Sequence, residues 1–118
     1  FHRLNGKFID KIERRNLYDL KYYGEYKNGK KFGNGREFDN NGNLIFDGYY
    51  SEGKRQQGKE YEDSKLIFNG EYNEGRMWTG KQKVFNKYGD PVFDGEIFEG
   101  KISNGILRQY FNNFWSRV

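Results

Sequence analysis

The sequence predicts an all-β fold, an elongated antiparallel meander of stacked β-hairpin repeats with two strands to a repeat. Three observations predict it. Glycine-centred landmarks recur in register along most of the 118 residues. Apolar and polar residues alternate in period two around each landmark, which puts the apolar set on one face of a strand. The composition also excludes the alternatives. Eleven Phe, ten Tyr and two Trp stand beside 16 Gly and one Pro, and there is no Ala. A helical bundle is disfavoured without the best helix former. The 32% charge permits disorder, but 19% aromatic argues against it. With 34% hydrophobic residues, a thin sheet held by large flat rings is easier to build than a deep core of aliphatic side chains.

The first strand of each repeat carries an aromatic-x-Gly landmark: Tyr22-Tyr23-Gly24, Phe46-Asp47-Gly48, Phe68-Asn69-Gly70 and Phe93-Asp94-Gly95, with glycines 24, 22 and 25 residues apart. Period two places Leu44, Phe46, Gly48 and Tyr50 on one face, and likewise Leu66, Phe68, Gly70 and Tyr72. The outer repeats contribute Leu20, Tyr22, Gly24 and Tyr26, then Pro91, Phe93, Gly95 and Ile97. Rings thus stack across repeats with a glycine column between them, where a ring can lie against bare backbone. A turn follows at Asn28-Gly29, Glu52-Gly53, Glu74-Gly75 and Glu99-Gly100, residue types that supply the positive φ of a tight hairpin.

The second strand begins with a basic residue and carries a third glycine, ten residues after the first, at Gly58, Gly80 and Gly105. The first repeat departs, with Asn34 at that offset between Gly33 and Gly35. An aromatic closes each second strand at Phe38, Tyr61, Phe85 and Tyr110. Asn41-Gly42 and Tyr88-Gly89 mark the connections to the next repeat. The second repeat uses Asp63-Ser64-Lys65 instead and should turn more tightly. Pro91 stands at a strand start, where a missing N–H is tolerated.

Tandem repeats therefore occupy 22–105, starting near 22, 46, 68 and 93. Residues 1–21 read as a degenerate repeat or N-terminal cap, because Asn5-Gly6-Lys7 echoes Asn28-Gly29-Lys30. The stretch Lys11 to Asn16 lacks glycine and reads as a short helix or a bulged strand. Residues 106–118 read as the last strand and a C-terminal cap rich in aromatics (Phe111, Phe114, Trp115).

At these residues the chain resembles the MORN (membrane occupation and recognition nexus) repeat family. The matching runs are Tyr23-Gly24-Glu25-Tyr26-Lys27-Asn28-Gly29-Lys30 and Phe68-Asn69-Gly70-Glu71-Tyr72-Asn73-Glu74-Gly75-Arg76, and the resemblance extends over about residues 22–111. Two features depart from the family pattern. The aromatic after the first glycine is Tyr or Ile97 rather than Trp, and the second glycine of the family's Gly-x-Gly is missing after Gly58, Gly80 and Gly105. The resemblance implies hairpin sheets, often dimeric, that act as scaffolds in cytoskeletal and membrane-junction proteins, some with proposed phospholipid binding. It also implies that such arrays are appended to kinases and methyltransferases.

For catalysis the inventory is poor. The one His is His2, there is no Cys, and Ser51, Ser64 and Ser103 sit at or near expected turns. Glu71 and Glu96 recur at equivalent positions, which reads as a solvated sheet face rather than an acid–base pair. Gly33-Asn34-Gly35 lacks the third glycine and the helix of a dinucleotide loop. Asp39-Asn40-Asn41-Gly42-Asn43 has Leu44 and Tyr50 where a calcium-binding EF-hand needs Gly and Glu. No catalytic, cofactor or metal site is expected, and no small-molecule substrate.

Two features point to partners. Basic residues follow the second glycine of every repeat: Lys30 and Lys31, Lys54 and Arg55, Arg76, and Lys101. As a ridge of hairpin tips they would attract an anionic membrane surface at about 1 kcal/mol each, unless Glu52, Glu74 and Glu99 beside them neutralise it. Met77 and Trp78 place a large apolar pair where neighbouring repeats have Gln56-Gln57 and Ile102-Ser103, an interaction surface if exposed. A net charge of +4 with interspersed signs does not demand nucleic acid, and the ring ladder already accounts for the aromatics. The expectation is a non-catalytic scaffold or protein-interaction module that self-associates or joins a larger assembly. The alternatives are anionic-phospholipid binding through the tips and a targeting module for a larger enzyme. Absence of Cys fits an intracellular, reducing location, and the resemblance implies cytoskeletal or membrane association. Because the sequence starts at Phe1, it reads as a processed form or a piece, and missing targeting signals carry no weight.

Overall fold

The computed structural model describes the backbone of residues 6–11, 20–109 and 114–117 and the side chains of residues 21–105. Within these the chain is all-β. Its strands are β1 (Gly6–Lys11), β2 (Leu20–Lys27), β3 (Lys30–Phe38), β4 (Leu44–Ser51), β5 (Lys54–Glu62), β6 (Lys65–Asn73), β7 (Arg76–Phe85), β8 (Pro91–Phe98), β9 (Lys101–Gln109) and β10 (Phe114–Arg117). They form one ten-stranded antiparallel sheet in sequence order, with no crossover. The Cα extents are 58 × 31 × 14 Å, so the protein is one sheet thick. Calls on His2, most of the 11–16 stretch, Tyr110, Phe111 and the C-terminal residue lie outside the described residues.

Two kinds of turn alternate along the sheet. Asn28-Gly29, Glu52-Gly53, Glu74-Gly75 and Glu99-Gly100 are two-residue turns with both φ angles positive, near 50° and 80°, the geometry that matches strand twist in a hairpin. The opposite edge carries five-residue loops at 39–43 and 86–90. In the first, Asp39 accepts hydrogen bonds from the N–H groups of Asn41 and Asn43 (2.8 and 2.9 Å). Asn86 does the same for Tyr88 and Asp90 (2.9 and 3.0 Å). The shortest repeat closes instead through a two-residue turn at Asp63 and Ser64, φ 52° and 64°, as its length requires.

The core is a single file of side chains on one face. Tyr22, Tyr26, Phe46, Tyr50, Phe68, Tyr72, Phe93 and Ile97 are its buried hydrophobics. Glycine pairs lie directly opposite one another at Gly24–Gly35, Gly48–Gly58, Gly70–Gly80 and Gly95–Gly105. The ring ahead of each pair lies flat over it. A methyl group added at Gly48 would come within 2.7 Å of Phe46 Cζ and of Gly58 Cα. The second strand of every hairpin thus runs beneath a ring rather than contributing one. The rings meet diagonally: Tyr22 with Tyr50 at 5.4 Å and Phe46 with Tyr72 at 5.4 Å, both edge-on. The first ring of one repeat therefore touches the second ring of the next, rather than its own equivalent.

Two departures from exact repetition have clear causes. In the first repeat Gly35 takes the place expected of the residue at offset ten, and the extra length forms a wide bulge at Gly33 (φ 70°). The Glu25 carboxylate accepts a hydrogen bond from the Asn34 N–H there, at 3.3 Å. Between β7 and β8 the register slips. Gly80 faces Ile97 and Gly95 faces Gln82, whereas Gly58 faces Gly70 in the preceding repeat. Two extra residues in β7 cause the slip, and they account for the 25-residue spacing. As a result Phe93 pairs with Val84 and stands outside the main ring cluster, which Ile97 joins instead.

Candidate interaction surfaces

The ring face is lidded by the chain's own side chains. The lids come from the position two residues after each tip glycine. Lys31 Nζ lies 5.0 Å from the Tyr22 ring and 5.8 Å from Tyr50. The Arg55 guanidinium lies 4.4 Å from Phe46 and 5.9 Å from Tyr72. Met77 packs on the same cluster. Such cation–ring contacts contribute about 0.5–2 kcal/mol each, more as they are desolvated. Tyr22, Phe46 and Phe68 are fully buried and Tyr50 nearly so, although no second layer covers them. The equivalent residue of the last repeat, Ile102, is 57% exposed.

Arg55 is the centre of a half-buried polar network that sequence reasoning missed. It donates two hydrogen bonds to Glu37, both at 3.0 Å, and pairs with Glu60 at 3.2 Å. Tyr50 donates to Glu37 at 2.5 Å and Tyr72 donates to Glu60 at 2.8 Å. Burial pushes the Glu37 carboxyl up, but the bonds from Arg55 and Tyr50 outweigh it and hold the group below the usual carboxylate range. Burial, together with Glu37, raises the Tyr50 phenol; burial and Glu60 do the same for Tyr72. Burial opposes the charge on Arg55, and the bonds to Glu37 overcome it, so it stays protonated. One repeat further on, Met77, Gln82 and Ile97 stand in place of the cation, acid and phenol. Charge, countercharge and hydroxyl disappear together. That coordinated replacement offered a sequence signal for the network.

The six basic residues singled out from the sequence do not form one ridge. Lys31 and Arg55 turn onto the ring face. Lys30 and Lys54 remain at the tips, where they pair with Glu52 (3.3 Å) and Glu74 (2.5 Å) of the following tip. Lys54 holds the exposed Glu74 carboxyl below its ordinary range. Arg76 and Lys101 are exposed at the same edge. Met77 and Trp78 are each half-buried. Met77 serves as a lid, and the Trp78 ring lies where a methyl group on Gly100 would meet it at 3.3 Å. The Trp78 carbonyl also accepts the Gly100 N–H at 2.8 Å. Both side chains thus take part in packing between hairpins while remaining partly exposed.

The opposite face is polar and open. Across the middle of the sheet one register line runs Tyr23, Arg36, Asp47, Lys59, Asn69, Lys81, Glu96 and Asn104, each directly paired with the next. Asp47 is half-buried and the rest are exposed. Beside it runs a second line of Asn34, Tyr49, Gln57, Glu71 and Thr79. The register slip moves Glu96 out of line with Glu71, so the two carboxylates do not form a pair. Among the described residues no group of three His, Cys, Asp or Glu is placed to hold a metal ion. None of the described residues forms a helix long and apolar enough to cross a membrane.

No protein-family model matches the chain, and no curated protein or solved structure is significantly similar to it.

Proposed function

We propose that this chain is a non-catalytic, MORN-type repeat module that serves as an intracellular scaffold, self-associating or seated in a larger assembly. One observation carries this reading. The molecule is a single sheet whose ring face is already lidded, so its largest free surface is the long polar face, with Tyr23 and Tyr49 45% and 39% exposed on it. A stiff ribbon with an open flank suits the holding of another protein surface. The MORN assignment draws on the recurring aromatic-x-Gly hairpins and on the glycine pairs beneath each ring. The titratable network at Arg55 is fully engaged within the fold, which favours a structural role over acid–base chemistry.

The phospholipid reading has less behind it. Two of its six cations lie over rings, and two more are engaged by acids at neighbouring tips. Light scattering coupled to gel filtration tests the scaffold reading in its self-associating form. The expected result is a species of twice the 14.1 kDa chain mass at micromolar concentration. A monomer at every concentration would overturn self-association.

A further inference from the structure

We infer that the polar face is the surface through which two copies of this chain associate, back to back, about a twofold axis parallel to the strands and between β5 and β6. The inference rests on the self-associating reading above and names its surface and geometry.

The argument is the order of charge along the central register line. Its cations, Arg36, Lys59 and Lys81, lie on β3, β5 and β7. Its acids and amide, Asp47, Asn69 and Glu96, lie on β4, β6 and β8. Positive groups on this line therefore occupy only odd strands and acids only even ones, while the amides Asn69 and Asn104 lie one on each kind. A twofold axis between two strands sets every odd strand of one copy over an even strand of the other. With the axis between β5 and β6 the whole length of the sheet overlaps. Arg36 then meets Glu96 of the second copy, Asp47 meets Lys81, and Lys59 meets Asn69. In the neighbouring line Gln57 meets Glu71 and Tyr49 meets Thr79. No like charges meet in either line.

Two other arrangements fail the same test. An axis through β5 sets Arg36 on Lys81 and Lys59 on itself, and one through β6 sets Lys59 on Lys81 and Asp47 on Glu96. An axis along the length of the sheet and over this line sets Arg36 on Arg36 and Lys59 on Lys59. The face is thus self-complementary with the axis between strands, as an isologous interface requires, and like-charge contact disfavours an axis through a strand or along the central line. Stacked sheets lie about 10 Å apart, a gap that long Arg, Lys and Glu side chains can span. A face of 58 by 31 Å exceeds the roughly 800 Å² per partner of a standard interface. Within one copy Arg36 and Asp47 are 3.5 Å apart and well exposed, so that pair holds little energy and leaves both groups free to reorient.

Sedimentation and light scattering of charge-reversal variants test this. Arg36→Glu alone sets acid against acid at both ends of the pair of copies, and Glu96→Arg alone sets base against base. Each should raise the dissociation constant at least about tenfold. An equal mixture of the two variants should recover the dimer, because every contact between unlike chains is again of opposite sign. Each variant keeps its clash within its own chain, with Asp47 or Lys81, so recovery reports contacts between copies alone. Circular dichroism verifies folding; if a reversal unfolds the chain, Arg36→Gln and Glu96→Gln should give a smaller loss in the same direction. A dimer indifferent to all these changes, or unrescued by mixing, overturns this interface and leaves self-association standing. A monomeric wild type overturns both.

Discussion

At the scale of single residues, the fold depends on bare backbone beneath a ring. Gly48 is the clearest case. A methyl group there would press on the Gln57 carbonyl, on Gly58 and on the Phe46 ring, and none of these can retreat without parting two strands. Gly48→Ala should destabilise the protein by about 2–3 kcal/mol, read as a lower urea midpoint. Gly75→Ala, at a tip with nothing within 4 Å but φ +81°, should cost only about 1 kcal/mol of backbone strain. Equal costs would refute the idea that ring contact sets the requirement.

Arg55 gives a second test at this scale. Its side chain is 20% exposed and that of Glu37 is 18% exposed. Arg55→Met leaves two enclosed carboxylates without their cation and should cost about 2–3 kcal/mol at neutral pH. The sign of its pH dependence follows from Glu37. The folded carboxyl is held below its ordinary value of 4.5. Its contribution is therefore complete above that value and fades as pH falls through the lowered folded one. In the variant the Tyr50 hydrogen bond and the Lys31 charge remain, but the bonds from Arg55 are gone and the carboxyl moves upward. The stability gap between wild type and variant should narrow below about pH 4, and a gap that stayed constant on acidification would show that Arg55 acts by packing only.

At the scale of elements, hairpin turns and bulges set where each strand lies. Four tips place glycine at the second turn position, where φ is near 80°. The turn between β5 and β6 has Ser64 there at φ 64°, a conformation that costs an L-residue roughly 1 kcal/mol. Ser64→Gly should raise the thermal midpoint, corresponding to about 0.5–1 kcal/mol. No change would mean that hydrogen bonding in the turn already offsets the strain. The β7–β8 slip shows the opposite effect of length. Two extra residues move Phe93 beside Val84, which is 41% exposed, and break the ring file that the three earlier repeats maintain.

At the scale of the whole molecule, stability is distributed along a line. Every strand pairs only with its neighbours in sequence, as in solenoids whose units are held by adjacent interfaces. The largest fully buried side chains are Tyr22, Phe46, Tyr50 and Phe68, and the Arg55 network spans β3, β4, β5 and β6. Amide hydrogen exchange should therefore be slowest in β4 to β6 and faster in β8 and β9, beyond the slip. Uniform protection from β2 to β9 would indicate a single cooperative block instead.

Much of this arrangement is legible in residue order. Period two, the aromatic-x-Gly landmark and the Asn-Gly and Glu-Gly tips are local instructions, and local geometry obeys them. The unequal spacing of 24, 22 and 25 residues already carries the wide bulge, the tight turn and the slip, although not which strand absorbs each. The lids and the Arg55 network were hidden because a basic residue after a tip glycine reads equally well as a solvated charge or as a cover for a ring.

By itself, then, the sequence determined the all-β hairpin array, its phase, its tips and the glycine columns, because each depends on backbone conformation and side-chain alternation within a few residues. Only the tertiary structure decided which cations leave the tip ridge for the ring face, how Met77 and Trp78 are absorbed into packing, and which charges share one line across the polar face. Those outcomes depend on distances between strands brought together by register, a quantity summed over every bulge and turn between them.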